Sequence, residues 1–202
     1  MNPRPDERKK RKRFHVVIFG SARIKKGDPW WNTIYDLAKR IAEEDMDVVT
    51  GGGPGLMDAA SEGHYTGDTN KNAQSIGLQI ILPKRQRDSE HLDIKKEFSR
   101  FSERLDNFIE LANVVVVAPG GVGTILELFY TWQLMQVKMI HNIPIILLGD
   151  MWLEFFDWMR KMLLENKFIE QNDLDLLFLV NNIEDAHSII KKTYEKFKNE
   201  NE

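Results

Sequence analysis

The chain has 202 residues, 42% of them hydrophobic and 29% charged, with no cysteine; that describes a water-borne globular protein with no disulfide, no thiolate metal site and no thiol nucleophile. No apolar run approaches the ~20 residues that span a bilayer, and the basic N-terminus is not followed by the apolar segment of a secretory leader, so no membrane partner and a cytoplasmic location are expected. The net charge of −3 hides an asymmetry: residues 1–13 hold seven Lys or Arg against two acids, a net of +5, which leaves −8 on the rest.

The basic segment 1–13 reads as a disordered arm. The acidic body offers no second basic patch to extend a nucleic-acid contact, so nucleic acid is not an expected partner. From residue 14 onward the chain reads as one domain. Residues 14–19, FHVVIF, predict a first strand, followed by the turn Gly20-Ser21-Ala22-Arg23. Asp28 and Pro29 have the chemistry of an N-cap and first helical position, and Trp30, Ile34, Leu37 and Ile41 continue at helical spacing to about Glu44.

Asp47 to Thr50 predicts a second strand. Gly51, Gly52 and Gly53, then Pro54 and Gly55, turn it into a helix from Leu56 to about His64. A third strand runs from Gln74 to Leu82, and Pro83 ends it. The charged stretch Lys84 to Asp93 reads as a surface loop. Arg100 to Ala112 predicts a helix with Phe101, Leu105, Phe108 and Leu111 on one face and Arg104 on its flank.

Val114 to Val117 is apolar on both faces, which places it in the middle of a parallel sheet covered on both sides. Pro119 stops it, and Gly120, Gly121, Val122 and Gly123 turn the chain toward a helix with Thr124 as its expected N-cap. Such a turn presents free N–H groups and the positive end of a helix dipole to an anion. Two readings of the turn stand side by side. Thr124 and Glu127 could form a capping box and bind nothing, or the turn could cradle a phosphate with Glu127 projecting into the pocket.

Pro144 to Leu148 predicts a further strand, Trp152 to about Glu165 an apolar helix, Leu177 to Val180 a last strand, and Asn182 the cap of a final helix to about Phe197. The alternation specifies an α/β fold: an open, doubly wound parallel sheet of Rossmann-like type with helices on both faces. Ligands bind such sheets at the carboxyl ends of the strands, where the turns at Gly20, Ser21, Gly51 and Gly120 all fall.

A dinucleotide fingerprint is missing, since the first turn has a single glycine, and the Gly-Lys-Ser/Thr of a nucleoside-triphosphate loop is missing too. His15, His64, His91, His141 and His187 lack metal-ligand spacing. No cofactor and no metal are expected.

GGGPGLM (51–57) and PGGVGTILE (119–127) are similar to the two motifs of the LOG-like family, formerly labelled lysine decarboxylases. FGSAR (19–23) and FSERLDNF (101–108) agree, and the resemblance covers roughly residues 14–165. It implies a nucleoside 5′-monophosphate phosphoribohydrolase that acts on an AMP-like nucleotide, either as a cytokinin-activating enzyme or as a general nucleosidase. It implies Arg104 and Glu127 as the catalytic pair, Gly120 to Thr124 as the phosphate loop, and a homodimer or larger assembly. The family's usual Arg-Lys is Arg104-Leu105 here, and its Gly-Leu-Met-Gly ends on Asp58. The resemblance also admits a non-catalytic alternative, a carrier of a nucleotide or of molybdenum cofactor. Lysine decarboxylation would need a Schiff-base lysine for pyridoxal phosphate, and no lysine stands near either glycine turn.

Overall fold

The computed structural model describes residues 13–83 and 87–201. The disordered arm expected over residues 1–13 therefore lies outside the described residues except for Arg13, which is not free. Its Nε donates to Asp47 Oδ2 at 2.6 Å and its Nη2 to the Asn72 carbonyl at 2.7 Å. The body begins one residue earlier than the charge pattern indicates, because Asp47, 1% exposed, needs that partner.

Seven parallel strands alternate with helices. In chain order they are β1 (His15–Phe19), α1 (Pro29–Glu43), β2 (Asp47–Thr50), α2 (Leu56–Gly67), β3 (Ser75–Ile80), β4 (Ile94–Phe98) and α3 (Phe101–Leu111). Then come β5 (Val114–Val117), α4 (Val122–Gln136), β6 (Ile145–Leu148), α5 (Met151–Met159), α6 (Gln171–Leu174), β7 (Leu177–Val180) and α7 (Ile183–Asn201). A π-helical turn over Arg160–Leu164 follows α5 directly. Asp28 caps α1 as expected, its side chain accepting from the Trp30 N–H at 2.8 Å.

The sheet order is β4-β3-β2-β1-β5-β6-β7. Successive strands are added outward from β1 to β4; the chain then returns to the middle and adds β5 on the other side of β1. The strand order thus reverses between β1 and β5, paired from Val16↔Val114 to Phe19↔Val117. That is the point where an open α/β sheet leaves a crevice at the carboxyl ends of its strands.

Alternate strand residues feed two cores. Val16, Ile18, Val48, Val114 and Val116 pack under α1, α2 and α7. Val17, Phe19, Val49, Val115 and Val117 pack under α3, α4 and α5. β5 is buried on both faces, which explains why it is unbroken valine. Trp132 and Met135 of α4 belong to the second core, at 6% and 1% exposure.

β4 is the strand the sequence conceals. Its residues IKKEF are mostly exposed, and among the described residues it pairs only with β3, through Ile76↔Ile94 to Ile80↔Phe98. Charged side chains are usual on an edge strand, where they discourage pairing with another chain. Among the described residues no helix is long and apolar enough to cross a membrane.

Candidate active site

The turn after β5 starts its helix sooner than its chemistry indicates. Gly121 is the N-cap of α4 and Val122 its first residue, with no side-chain capping bond. Thr124 is thus not the N-cap; it lies inside the first turn, 4% exposed. The capping box with Glu127 is absent, because two glycines let the backbone enter the helix before threonine is reached. Glu127 sits five residues beyond Val122, on the side of α4 that faces the crevice.

A cleft of about 840 Å³ opens there, and Gly20, Ser21, Gly51, Gly53, Gly121, Val122, Gly123 and Thr124 line it together with Arg104 and Glu127. The strand ends therefore bring ten of the twelve expected site residues to one place. Gly52 and Gly120 are not on the wall. The Gly52 carbonyl accepts from Gln79 Nε2 at 2.7 Å and from the Ser89 N–H at 3.0 Å. Gly120 lies against the Thr124 side chain, which a Cβ would strike. Both shape the turns from behind.

The turns are tied to one another. Ser21 N–H donates to the Pro119 carbonyl at 3.0 Å, and Leu56 N–H donates to the Ser21 carbonyl at 2.9 Å. Gly55, at φ +76°, packs so closely on Ser21 and Ala22 that any side chain would collide with their backbone. This combination of positive φ and close approach requires glycine. The connection between β3 and β4 adds a brace, with Ser89 Oγ donating to the Gly53 carbonyl at 2.7 Å.

Arg104 is no surface cation. It is 8% exposed, and its Nε donates to the Leu78 carbonyl at 2.7 Å. Its guanidinium lies 5.0 Å from the Phe108 ring centroid and over Gly51, where a Cβ would collide with it. Its Nη1 is 3.3 Å from Glu127 Oε1. Among the described residues the Glu127 carboxylate accepts no hydrogen bond, so its lone pairs are open to the cleft. Burial pushes the Glu127 carboxyl up to about 7 against the opposing pull of Arg104. Burial likewise lowers the Arg104 guanidinium, while Glu127 raises it.

Arg23, Gln79, Arg87 and Phe101 also line the cleft and were not singled out beforehand. Gln79 had a signal, as a polar residue in the otherwise apolar run IGLQII. Phe101, expected on an apolar helix face, is 51% exposed at the rim. Among the described residues no cluster of His, Asp or Glu has the arrangement to hold a metal ion.

The chain matches the family model described as "Possible lysine decarboxylase" over residues 57–190. It is 30% identical over 159 residues to the cytokinin riboside 5′-monophosphate phosphoribohydrolase LOG of Oryza sativa subsp. japonica, covering 75% of this chain and 63% of that protein. It is 28% identical over 160 residues to the pyrimidine/purine nucleotide 5′-monophosphate nucleosidase of Escherichia coli K12, covering 66% of this chain and 30% of that protein. The chain thus spans less than two thirds of the rice relative's length and under a third of the bacterial one's. Among solved structures, the molybdenum cofactor carrier protein MCP of Chlamydomonas reinhardtii superposes with a TM-score of 0.65 at 19% identity, covering 91% of this chain and 99% of that one. The molybdenum cofactor binding protein of Rippkaea orientalis does so with 0.62 at 21%, covering 91% and 98%. At these identities the solved structures share the fold.

Proposed function

Because the chain belongs to the possible lysine decarboxylase, or LOG, family, we propose that it is a hydrolase that splits a nucleoside 5′-monophosphate into free base and ribose 5-phosphate. The observation that carries this reading is the buried pair of Arg104 and Glu127, 3.3 Å apart, facing the cleft behind the glycine turn. The names of the rice and bacterial relatives support the same chemistry.

In this reading the phosphate lies on the N–H groups of Gly121 to Thr124 at the start of α4, opposite Gly20 and Ser21. The ribose then reaches Glu127. Breaking the N-glycosidic bond develops positive charge on the sugar, and a nearby carboxylate stabilises it and takes a proton from the attacking water. A carboxylate with no hydrogen-bond donor of its own is suited to that work. Arg104 holds it in place and keeps part of it ionised at neutral pH. Decarboxylation of lysine is not supported, because no described residue lining the cleft is a lysine.

A carrier has no use for a buried carboxylate at this position. Keeping an acid at the end of a buried cleft costs folding free energy, and such perturbed groups gather where chemistry needs them. We also propose that the protein is a homodimer in the cytoplasm, pairing through the exposed apolar face of α5 and the turn after it. The activity is tested by incubating the protein with a panel of purine and pyrimidine 5′-monophosphates and measuring free base. Release from one or more supports the reading; tight binding with no release from any favours a carrier.

A further inference from the structure

A second cavity of about 570 Å³ adjoins the main cleft, and Ala22, Arg23 and Arg87 line both. The charges at this seam are not equally satisfied. Arg87 pairs with Asp58 and, at 2.8 Å, with Glu90. Lys26 pairs with Glu62 at 2.6 Å. These contacts occupy the three carboxylates on the second cavity's wall. Arg23 and Lys25 are exposed, and among the described residues neither side chain has an ion pair or a hydrogen bond. The second cavity's wall thus carries four Lys or Arg against three carboxylates, an excess of one positive charge, with Arg23 at the seam to the main cleft.

The backbone that carries Arg23 is fixed on two sides. Ser21 is bonded to Pro119 of the glycine turn and to Leu56 of α2, and the Arg23 N–H donates to Ser21 Oγ at 3.1 Å. A cation on a braced turn loses less freedom when it meets an anion than one on a loose loop. Its position, beside the turn that takes the first phosphate, defines what it can reach.

We propose that Arg23, with Lys25 behind it, forms a second anion subsite that receives the terminal phosphate of a nucleoside 5′-diphosphate whose first phosphate lies on Gly121 to Thr124. The inference rests on the nucleotide reading of the main cleft and extends it to a second ligand class. Diphosphates then bind more tightly than monophosphates and compete with them.

The test is calorimetry with AMP and ADP, in EDTA, on wild type and Arg23→Ala. ADP is expected to bind wild type about tenfold more tightly than AMP, the lower end for charge-assisted hydrogen bonds at an exposed site. Arg23→Ala should lose ADP affinity about tenfold more than AMP affinity, Arg23→Lys should keep most of the preference, and added salt should narrow it. Equal or weaker binding of ADP in wild type overturns the proposal while leaving the monophosphate reading intact. An equal loss for both nucleotides in Arg23→Ala also overturns it, by placing Arg23 at the first phosphate. Failure of both nucleotides to bind wild type overturns the nucleotide reading itself, and this inference with it.

Discussion

Arg104 of α3 and Glu127 of α4 meet at 3.3 Å across the floor of the cleft, each nearly buried, from two helices on the same side of the sheet. The pair is not a stability device. Both charges pay desolvation, and among the described residues the carboxylate accepts no hydrogen bond, so much of that penalty is uncompensated. In the proposed mechanism the arrangement gives up folding free energy to hold an acid at the cleft.

The first consequence is a pH dependence of stability. Burial raises the Glu127 carboxyl from its usual 4.5 to about 7. A raised carboxyl binds its proton more tightly in the folded state. Its contribution is fully present below pH ~4.5 and is lost as pH rises through about 7. Glu127→Gln removes this titration. Its stability relative to wild type should therefore improve by roughly 2–3 kcal/mol between pH 4.5 and pH 8. Thermal or denaturant melts of both proteins at the two pH values measure this. A pH-independent difference would show that Glu127 titrates normally.

Arg104→Ala should be damaging in two ways. It removes the charge that keeps Glu127 ionised, so the carboxyl moves further up and turnover at pH 7 falls about 10²-fold or more. It also strands a buried acid, at a cost of about 3–5 kcal/mol when that acid is charged. The loss should be smaller at pH 5, where Glu127 takes a proton instead. Arg104→Lys should fall between, because one ammonium does not reproduce the fork that contacts both Leu78 O and Glu127. Equal stability of Arg104→Ala and wild type at pH 8 would contradict the buried pair.

Deletion of residues 1–12 should leave fold and turnover intact, whereas extending the deletion to Arg13 should cost about 1–3 kcal/mol by stripping a partner from buried Asp47. Arg13→Ala in the full chain should cost the same. Denaturant unfolding of the three proteins separates these outcomes, and a large loss on removing 1–12 alone would mean that the arm packs on the body.

The assembly prediction rests on Leu153, Trp158, Met162 and Phe168, which are 40%, 50%, 49% and 73% exposed. Four large exposed apolar side chains within sixteen residues are expected to meet a partner, and two-fold pairing is the commonest closed symmetry. Sedimentation at micromolar concentration should give a dimer mass for wild type and a monomer mass for Trp158→Glu. A monomeric wild type would rule the pairing out.

Most of the fold was legible because its signals are local. Alternating strand and helix patterns, Asp28-Pro29, and the unbroken valines of β5 each follow from short-range rules. β4 was not legible, since an edge strand of lysine and glutamate carries no apolar pattern. The start of α4 is not legible either, because the glycine turn enters the helix at Gly121, three residues ahead of the threonine that has capping chemistry. The burial of Arg104 is a tertiary fact: only the packing of α3 against β3 brings Nε to Leu78 O. Arg23 and Arg87 became visible as cleft residues only once the turns were folded together.

Release of free base by wild type and by Glu127→Gln, with nucleotide binding measured in parallel by calorimetry, tests the proposed chemistry most directly. Loss of a positioned acid/base group costs about 10²- to 10⁴-fold in rate, roughly 3–5 kcal/mol of barrier. Binding should persist, since the phosphate is held by backbone N–H groups at the start of α4 and not by the carboxylate. Slow release with intact binding in Glu127→Gln is the expected result. Equal release by the two proteins would remove Glu127 from the mechanism.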